Sequence, residues 1–253
     1  MKGIFRSDKG RVRAHNEDNG FFSDTENSTV LAAVADGMGG HQAGDVASGI
    51  AIEHVKKAWQ NRAEELRAKN CGEWLKETIQ GANEAIIRTS LDQPQYGGMG
   101  TTLIAAAAEE SDVTIANAGD SRMYYYSASQ ADLRLVTSDH SVPGEMVKKG
   151  HITQEEAEVH PQKNILTNAL GTDWQINVDL EQMIWDAGDI ILLCSDGLSD
   201  KLGLEDIQKL LAEETPIEKK ADEMVKLANA RGGEDNITVL MLENRPKGGA
   251  GND

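Results

Sequence analysis

Apolar positions along this chain follow two periods that come in blocks. Residues 28–35 form a small, β-leaning run ending at Asp36. Val46, Ile50, Ala51, Val55 and Ala58 then recur at helical spacing, with Asp45 placed to cap that helix. Leu75, Ile79, Ala82 and Ile86 mark the stripe of a second helix. Beyond it the pattern turns strand-like over 101–108, 113–118, 123–126 and 133–136, with turn-forming residues between. Runs at 176–185 and 190–194 predict two more strands about a turn at 186–189. Residues 204–211 and 217–230 read as helices, the second preceded by Thr215-Pro216-Ile217-Glu218. That tetrapeptide offers an N-cap, a first-turn proline and a capping box. The run 237–242 predicts a closing strand. Helices grouped between runs of antiparallel-looking strands indicate an α+β protein, simplest as a two-sheet sandwich faced by helices.

The 253 residues are enough for one generous domain, here 1–244, with 245–253 read as a frayed tail. Acidic side chains outnumber basic ones 42 to 25, a formal charge of −17 that argues against nucleic acid or an anionic membrane as partner. Two cysteines, Cys71 and Cys194, give no disulfide framework and suit a reducing compartment. No signal-peptide core or membrane-length apolar run is present, so a soluble, cytoplasmic protein is expected.

Four acidic residues sit at strand ends or starts. Asp36 follows Val34-Ala35, Asp120 follows Ala118-Gly119, Asp196 follows Leu193-Cys194-Ser195, and Asp235 precedes the last strand. In antiparallel sheets such positions converge on one edge. Crowded carboxylates repel unless protonated or sharing a cation, and an all-oxygen set suits Mg²⁺ or Mn²⁺, not zinc. Taken singly, Asp36-Gly37 or Asp196-Gly197 is more simply a turn dipeptide.

Their conjunction changes the odds. Arg13-Ala14-His15-Asn16-Glu17-Asp18, Asp36-Gly37-Met38-Gly39-Gly40-His41, Gly100-Thr101-Thr102, Gly119-Asp120-Ser121-Arg122, Ser195-Asp196-Gly197 and Glu234-Asp235-Asn236 occur in that order. The series resembles the metal-dependent Ser/Thr protein phosphatases (PPM, or phosphatase 2C-like) in their bacterial form. Ser138-Asp139-His140-Ser141 and His160-Pro161-Gln162-Lys163-Asn164 resemble the segment around the bacterial flap.

The resemblance implies a four-layer α-β-β-α sandwich with two central antiparallel sheets and a binuclear metal centre at one end. Asp36 would bridge two Mn²⁺ or Mg²⁺ ions, Gly37 would add its carbonyl, and Asp196 and Asp235 would complete the set, with Glu17 and Asp18 nearby. A water between the ions would attack phosphorus in line, with no phosphoenzyme, while Arg13 holds the phosphate. Asp36 and Asp196 are thus catalytic as well as metal-binding, and Arg13 is both catalytic and substrate-binding. Asp120, with Asp196, would hold a third, weaker ion; the alternative is a turn aspartate bonding the backbone at Arg122. Expected partners are phosphorylated proteins, including a Ser/Thr kinase or its substrates, acted on by a monomer in bacterial signalling.

One departure stands out. Many eukaryotic members place a His directly after the Asp-Gly pair, but here Met38 has no proton to give, leaving His41, a bound water or no side-chain acid for that step. Met38 keeps open a catalytically weak phosphoprotein-binding relative as the alternative function. Residues 141–166 lie between strand-like segments, include a capping-box start at Thr153 with Glu156, and read as a substrate-selecting flap. His140 reads as a local hydrogen-bonding residue, Trp59 and Trp74 as packing residues, and Cys194 as a buried small hydrophobe. A cysteine-phosphatase loop is excluded, because Asp200 and Glu77 stand where its Arg would follow Cys194 and Cys71.

Overall fold

The computed structural model describes residues 1–25, 29–40, 43–65 and 70–245. Two antiparallel sheets lie at its centre. One has the order β1 (Lys2–Asp8), β11 (Ile237–Glu243), β10 (Ile190–Cys194), β7 (Arg122–Ser127), β8 (Asp132–Leu135). The other runs β2 (Asp18–Phe22), β3 (Val30–Met38), β5 (Leu103–Ala108), β6 (Asp112–Ala118), β9 (Asp179–Ile184), with the two-residue β4 (Gly100–Thr101) paired to the far end of β3.

Strand alternation sets the layers. In β3, Val30, Ala32 and Val34 face the other sheet and meet Ile191, Leu193, Leu240 and Leu242 in the inter-sheet core. Leu31, Ala33 and Ala35 face the opposite way and pack under α1 (Ala43–Glu65) and α2 (Cys71–Asp92). The second sheet repeats the device: Leu192, Cys194, Val239 and Met241 pack against α5 (Asp196–Ser199), α6 (Leu204–Ala212) and α7 (Ile217–Ala230). Because helices cover both outer faces, central strands such as β5 and β10 are apolar at every position rather than at every second one. Each fully buried Leu or Ile there contributes about 2 kcal/mol of burial. Trp59 and Trp74 stack at 5.7 Å between α1 and α2, as packing residues. No helix among the described residues is long and apolar enough to cross a membrane.

Several local expectations shift. The strand read at 101–108 breaks at Thr102, whose N–H donates to the Asp36 carbonyl at 2.9 Å and ends the pairing of β4. The run 176–185 becomes strand only from Asp179, because the Asn168 amide bonds both the N–H and the carbonyl of Asn177. Asp45 lies inside the first turn of α1, favourable for the helix dipole, and not at its cap. Pro216, not Thr215, occupies the N-cap position of α7, and no side chain caps that end. The capping box at Thr153 and Glu156 is present and starts α4 (Gln154–Glu158).

Between β8 and β9 the chain crosses from one sheet to the other through α3 (Val142–Lys148) and α4. An isolated bridge between Ser141 and Leu166 closes the neck of this excursion. The Lys163 Nζ–Asp200 carboxylate pair, 2.6 Å, ties it down beside α5.

Candidate metal centre

Register brings the acidic positions together. Asp18 at the start of β2 pairs with Asp36 near the end of β3. Cys194, two residues before Asp196, lies between Arg122, two residues after Asp120, and Val239 on the strand that Asp235 precedes. Arg13, Asp36, Gly37, Asp120, Asp196 and Asp235 all line one cavity of about 200 Å³. Glu17, Met38 and Thr102 line it too, and Asn164 and Leu166 of the crossover form its near wall. Of the residues singled out for the site from sequence, Asp18 lies buried behind Asp36 and not in the cavity lining, and His41 lies outside the described residues.

The backbone beneath Asp36 is held from two sides. Its N–H donates to Thr102 Oγ1 (3.0 Å), and its carbonyl accepts from Thr102 N (2.9 Å) and Thr101 Oγ1 (2.8 Å). Gly37 is there because α1 passes directly over it: a Cβ would run into the Gly44 carbonyl oxygen. Asp235 has two partners, its own chain's Asn236 N (2.8 Å) and Arg13 Nη2 (2.7 Å). Arg13 thus pairs across the cavity mouth with Asp235, not with Glu17 one turn away in sequence.

Two polar residues were quoted in the sequence motifs without a role of their own, yet organise the site. Asn236 donates from Nδ2 to the carbonyls of Lys9 and His15, both 2.9 Å, and accepts from Glu17 N at 2.8 Å. It pins the whole Arg13 loop to the start of β11. Ser195 donates to Asp18 Oδ2 at 2.7 Å and accepts from Thr238 N at 3.0 Å. Both sit beside acidic motif residues, and that adjacency was the only signal available. His140 bonds locally as expected: Nδ1 accepts from Gly119 N (3.1 Å), and Nε2 faces Asp179 (3.1 Å). Arg122 grips Asp139 with Nε and Nη2 (3.0 and 2.7 Å). No hydrogen bond joins the Asp120 side chain to the Arg122 backbone among the described residues.

Charge is the dominant feature. Burial, with repulsion from Asp18, Asp196, Asp120 and Asp235, pushes the Asp36 carboxyl well above its ordinary range. Burial and repulsion from Asp120 and Asp235 do the same to Asp196. Burial pushes Asp18 to about 6, and burial with Asp139 nearby pushes Asp120 to about 7. The carboxylates stand around the cavity instead of closing on one point: among the described residues no three His, Cys, Asp or Glu side chains form a ready-made ligand cluster. Asp18 Oδ1 is buried with no hydrogen-bond partner, an acceptor that lacks a positive neighbour. Hard oxygen donors, raised carboxyl pKa values and an orphaned acceptor fit a hard divalent cation.

The protein phosphatase 2C family profile matches residues 9–240. The chain is 43% identical to the serine/threonine phosphatase stp of Listeria monocytogenes serotype 4b over 243 residues, 96% of each chain. It is 35% identical to the protein phosphatase PhpP of Streptococcus pneumoniae over 236 residues, 93% of this chain and 94% of PhpP. The fold superposes on the Mycobacterium tuberculosis serine/threonine phosphatase PstP/Ppp with a TM-score of 0.86 at 33% identity, covering 97% of this chain and 99% of that one. The catalytic domain of PstP in complex with two manganese ions is likewise similar, with a TM-score of 0.82 at 33% identity over 96% of this chain and 97% of that one. With its two helix-flanked antiparallel sheets and its acidic cavity, the chain belongs to the protein phosphatase 2C family and is a serine/threonine phosphatase of that type.

Proposed function

We propose that the chain hydrolyses phosphoserine and phosphothreonine in proteins with two Mn²⁺ or Mg²⁺ ions, reversing a Ser/Thr kinase in the bacterial cytoplasm. The observation that carries this reading is the single cavity shared by Arg13, Asp36, Gly37, Asp120, Asp196 and Asp235. When bound, the cations offset the crowded carboxylates and lower the pKa of a coordinated water enough for it to attack phosphorus near neutral pH.

The chain's own residues do the rest. Asp36, paired in register with Asp18 and repelled by Asp196, would be the carboxylate that serves both ions. Asp196, Asp235 and the Gly37 carbonyl complete the ligand set, and Asp120 with Asp196 is assigned a third, weaker ion. Arg13 leaves Asp235 to fork the substrate phosphate, whose oxygens match a guanidinium better than an ammonium. Met38 carries no proton, so this reading gives the leaving oxygen its proton from water. Residues 1–244 act as one monomeric domain, and residues 141–166 form a flap that selects the protein substrate.

Hydrolysis of p-nitrophenyl phosphate and of a phosphothreonine peptide, with Mn²⁺ and then with chelator, tests the proposal. Turnover in Mn²⁺ that chelator abolishes is expected; binding of the phosphopeptide without turnover would leave a phosphoprotein-binding relative in its place.

A further inference from the structure

Cations are outnumbered on this molecule, and several are committed to carboxylates. Arg6 pairs with Asp222 (2.6 Å), Arg13 with Asp235 (2.7 Å), Lys201 with Glu234 (2.5 Å) and Arg231 with Asp206 (2.5 Å). Lys9 and Arg11 differ. Both are exposed, and among the described residues neither has a carboxylate within ion-pair distance, in a chain with 42 acidic side chains. Two uncommitted cations thus stand within four residues of Arg13.

Their loop is built rigidly. Arg11 N donates to Gly233 O at 2.7 Å, Gly10 N to Asp8 Oδ1 at 2.9 Å, and the Asn236 amide holds the carbonyls of Lys9 and His15. Gly10 adopts φ +75°, and a Cβ there would strike the Asp235 carbonyl oxygen, so the loop lies flat on the segment that carries Asp235. A pre-set backbone means that a ligand meeting these cations need not order the loop first.

Resting on the phosphatase reading of the cavity, we infer that Lys9 and Arg11 form a cationic rim selecting substrates that carry a second anionic group near the target phosphoresidue. Arg11 and Arg13 are two residues apart, at most about 7 Å between Cα atoms. An extended peptide with its phosphate on Arg13 therefore brings its neighbouring one to three residues to the rim. A second phosphate or a run of Asp and Glu fits; a basic or apolar flank gains nothing there. The rim also answers a physical problem. A protein of charge −17 repels anionic peptides at long range, and two unpaired cations within four residues of Arg13 offset that field locally.

The test compares three peptides in Mn²⁺: a singly phosphorylated one with neutral flanks, one with acidic flanks, and one with a second phosphoserine two residues away. The full-length protein is set against Lys9→Gln/Arg11→Gln and against Arg11→Lys. We expect the parent to prefer the two anionic peptides, and the double variant to lose that preference by about three- to tenfold in the kcat/KM ratio. Arg11→Lys should keep most of it, and added salt should erode the parent's preference. A parent without preference, or a ratio unchanged in the double variant, overturns the rim. Hydrolysis of p-nitrophenyl phosphate by the parent checks the phosphatase reading separately, so the two failures are distinguishable.

Discussion

Arg13 Nη2 donates to Asp235 Oδ2 at 2.7 Å, joining two residues 222 positions apart at the mouth of the cavity. The same guanidinium is proposed to bind phosphate and the same carboxylate to bind metal, so the pair is a resting contact that substrate and cation compete to open. Arg13→Ala should therefore raise KM for phosphopeptides and leave the Mn²⁺ isotherm unweakened. Losing a charged, forked hydrogen bond predicts a drop in kcat/KM of about ten- to a hundredfold. Steady-state kinetics beside calorimetric Mn²⁺ titration measure both; unchanged KM and kcat would return Arg13 to a surface ion pair.

Without metal the acidic floor works against the fold. Asp18 and Asp120 carry folded-state pKa values of about 6 and about 7 against an ordinary 3.8. A carboxyl with a raised folded pKa binds its proton more tightly in the native state. The stability these two groups contribute to the metal-free protein is thus fully present below about pH 4 and is lost as pH rises through about 6 to 7. One such shift is worth roughly 3 kcal/mol, or about 5–10 °C in Tm for a chain of this size. Melts in chelator at pH 5 and pH 8 should show the fall, Mn²⁺ should restore Tm at pH 8, and Asp18→Asn should flatten the slope. Asp36→Asn and Asp196→Asn should raise the metal-free Tm while abolishing turnover. A metal-free Tm that rises with pH would contradict the buried, unpaired carboxylates.

The sandwich was legible because its central strands are buried on both faces: 30–35, 190–194 and 237–242 are nearly uninterrupted apolar runs. β1 and β2 were not. Lys2–Asp8 and Asp18–Phe22 are half-buried edge strands without clean alternation, and pairing with β11 and β3 organises them. The acidic positions were legible as strand-end residues in ordered motifs. Asn236 and Ser195 were not, because an amide or hydroxyl has no period and only the fold decides what it bonds. The α7 cap failed for a local reason: Pro216 takes the N-cap position, so the Thr215 hydroxyl falls one residue too early.

Residues 141–166 leave the sandwich through a neck closed by the Ser141–Leu166 bridge and return with Asn164 and Leu166 in the cavity wall. Lys148 at the end of α3 reaches Asp179 at 3.3 Å, and Lys163 reaches Asp200 at 2.6 Å. The excursion is thus fastened at the sides, and residues 147–150 span the end of α3 and the turn after it. Replacing residues 147–150 with a Gly/Ser linker should lower kcat/KM for phosphopeptides several-fold more than for p-nitrophenyl phosphate, which is too small to reach from the cavity to those residues. Equal effects on both substrates would mean that the segment serves stability and not recognition.

Asp120 gives the sharpest separation of roles. It lies between two spaces: the metal cavity, and a second of about 100 Å³ beneath the crossover that it lines together with Asp196, Asp139, Lys163 and Asp200. Its backbone is fixed by His140, whose ring takes the Gly119 N–H, and its neighbour Arg122 is spent on Asp139. Arg122 therefore offsets only part of the burial and of the repulsion from Asp139, which agrees with the Asp120 carboxyl being pushed to about 7. A site with Asp120 and Asp196 as its only protein carboxylates keeps most of its coordination as water, so it binds a third ion weakly. Asp120→Ala should leave two tight Mn²⁺ steps in the isotherm and remove the weak one. If that ion helps protonate the leaving oxygen in place of the acid that Met38 cannot supply, kcat should fall by about tenfold or more and stay low at saturating peptide. The deficit should shrink for p-nitrophenyl phosphate, whose leaving group needs no proton. Calorimetry and kcat on both substrates decide it: an unchanged isotherm with unchanged kcat would make Asp120 a turn residue whose carboxylate neither holds metal nor serves the reaction.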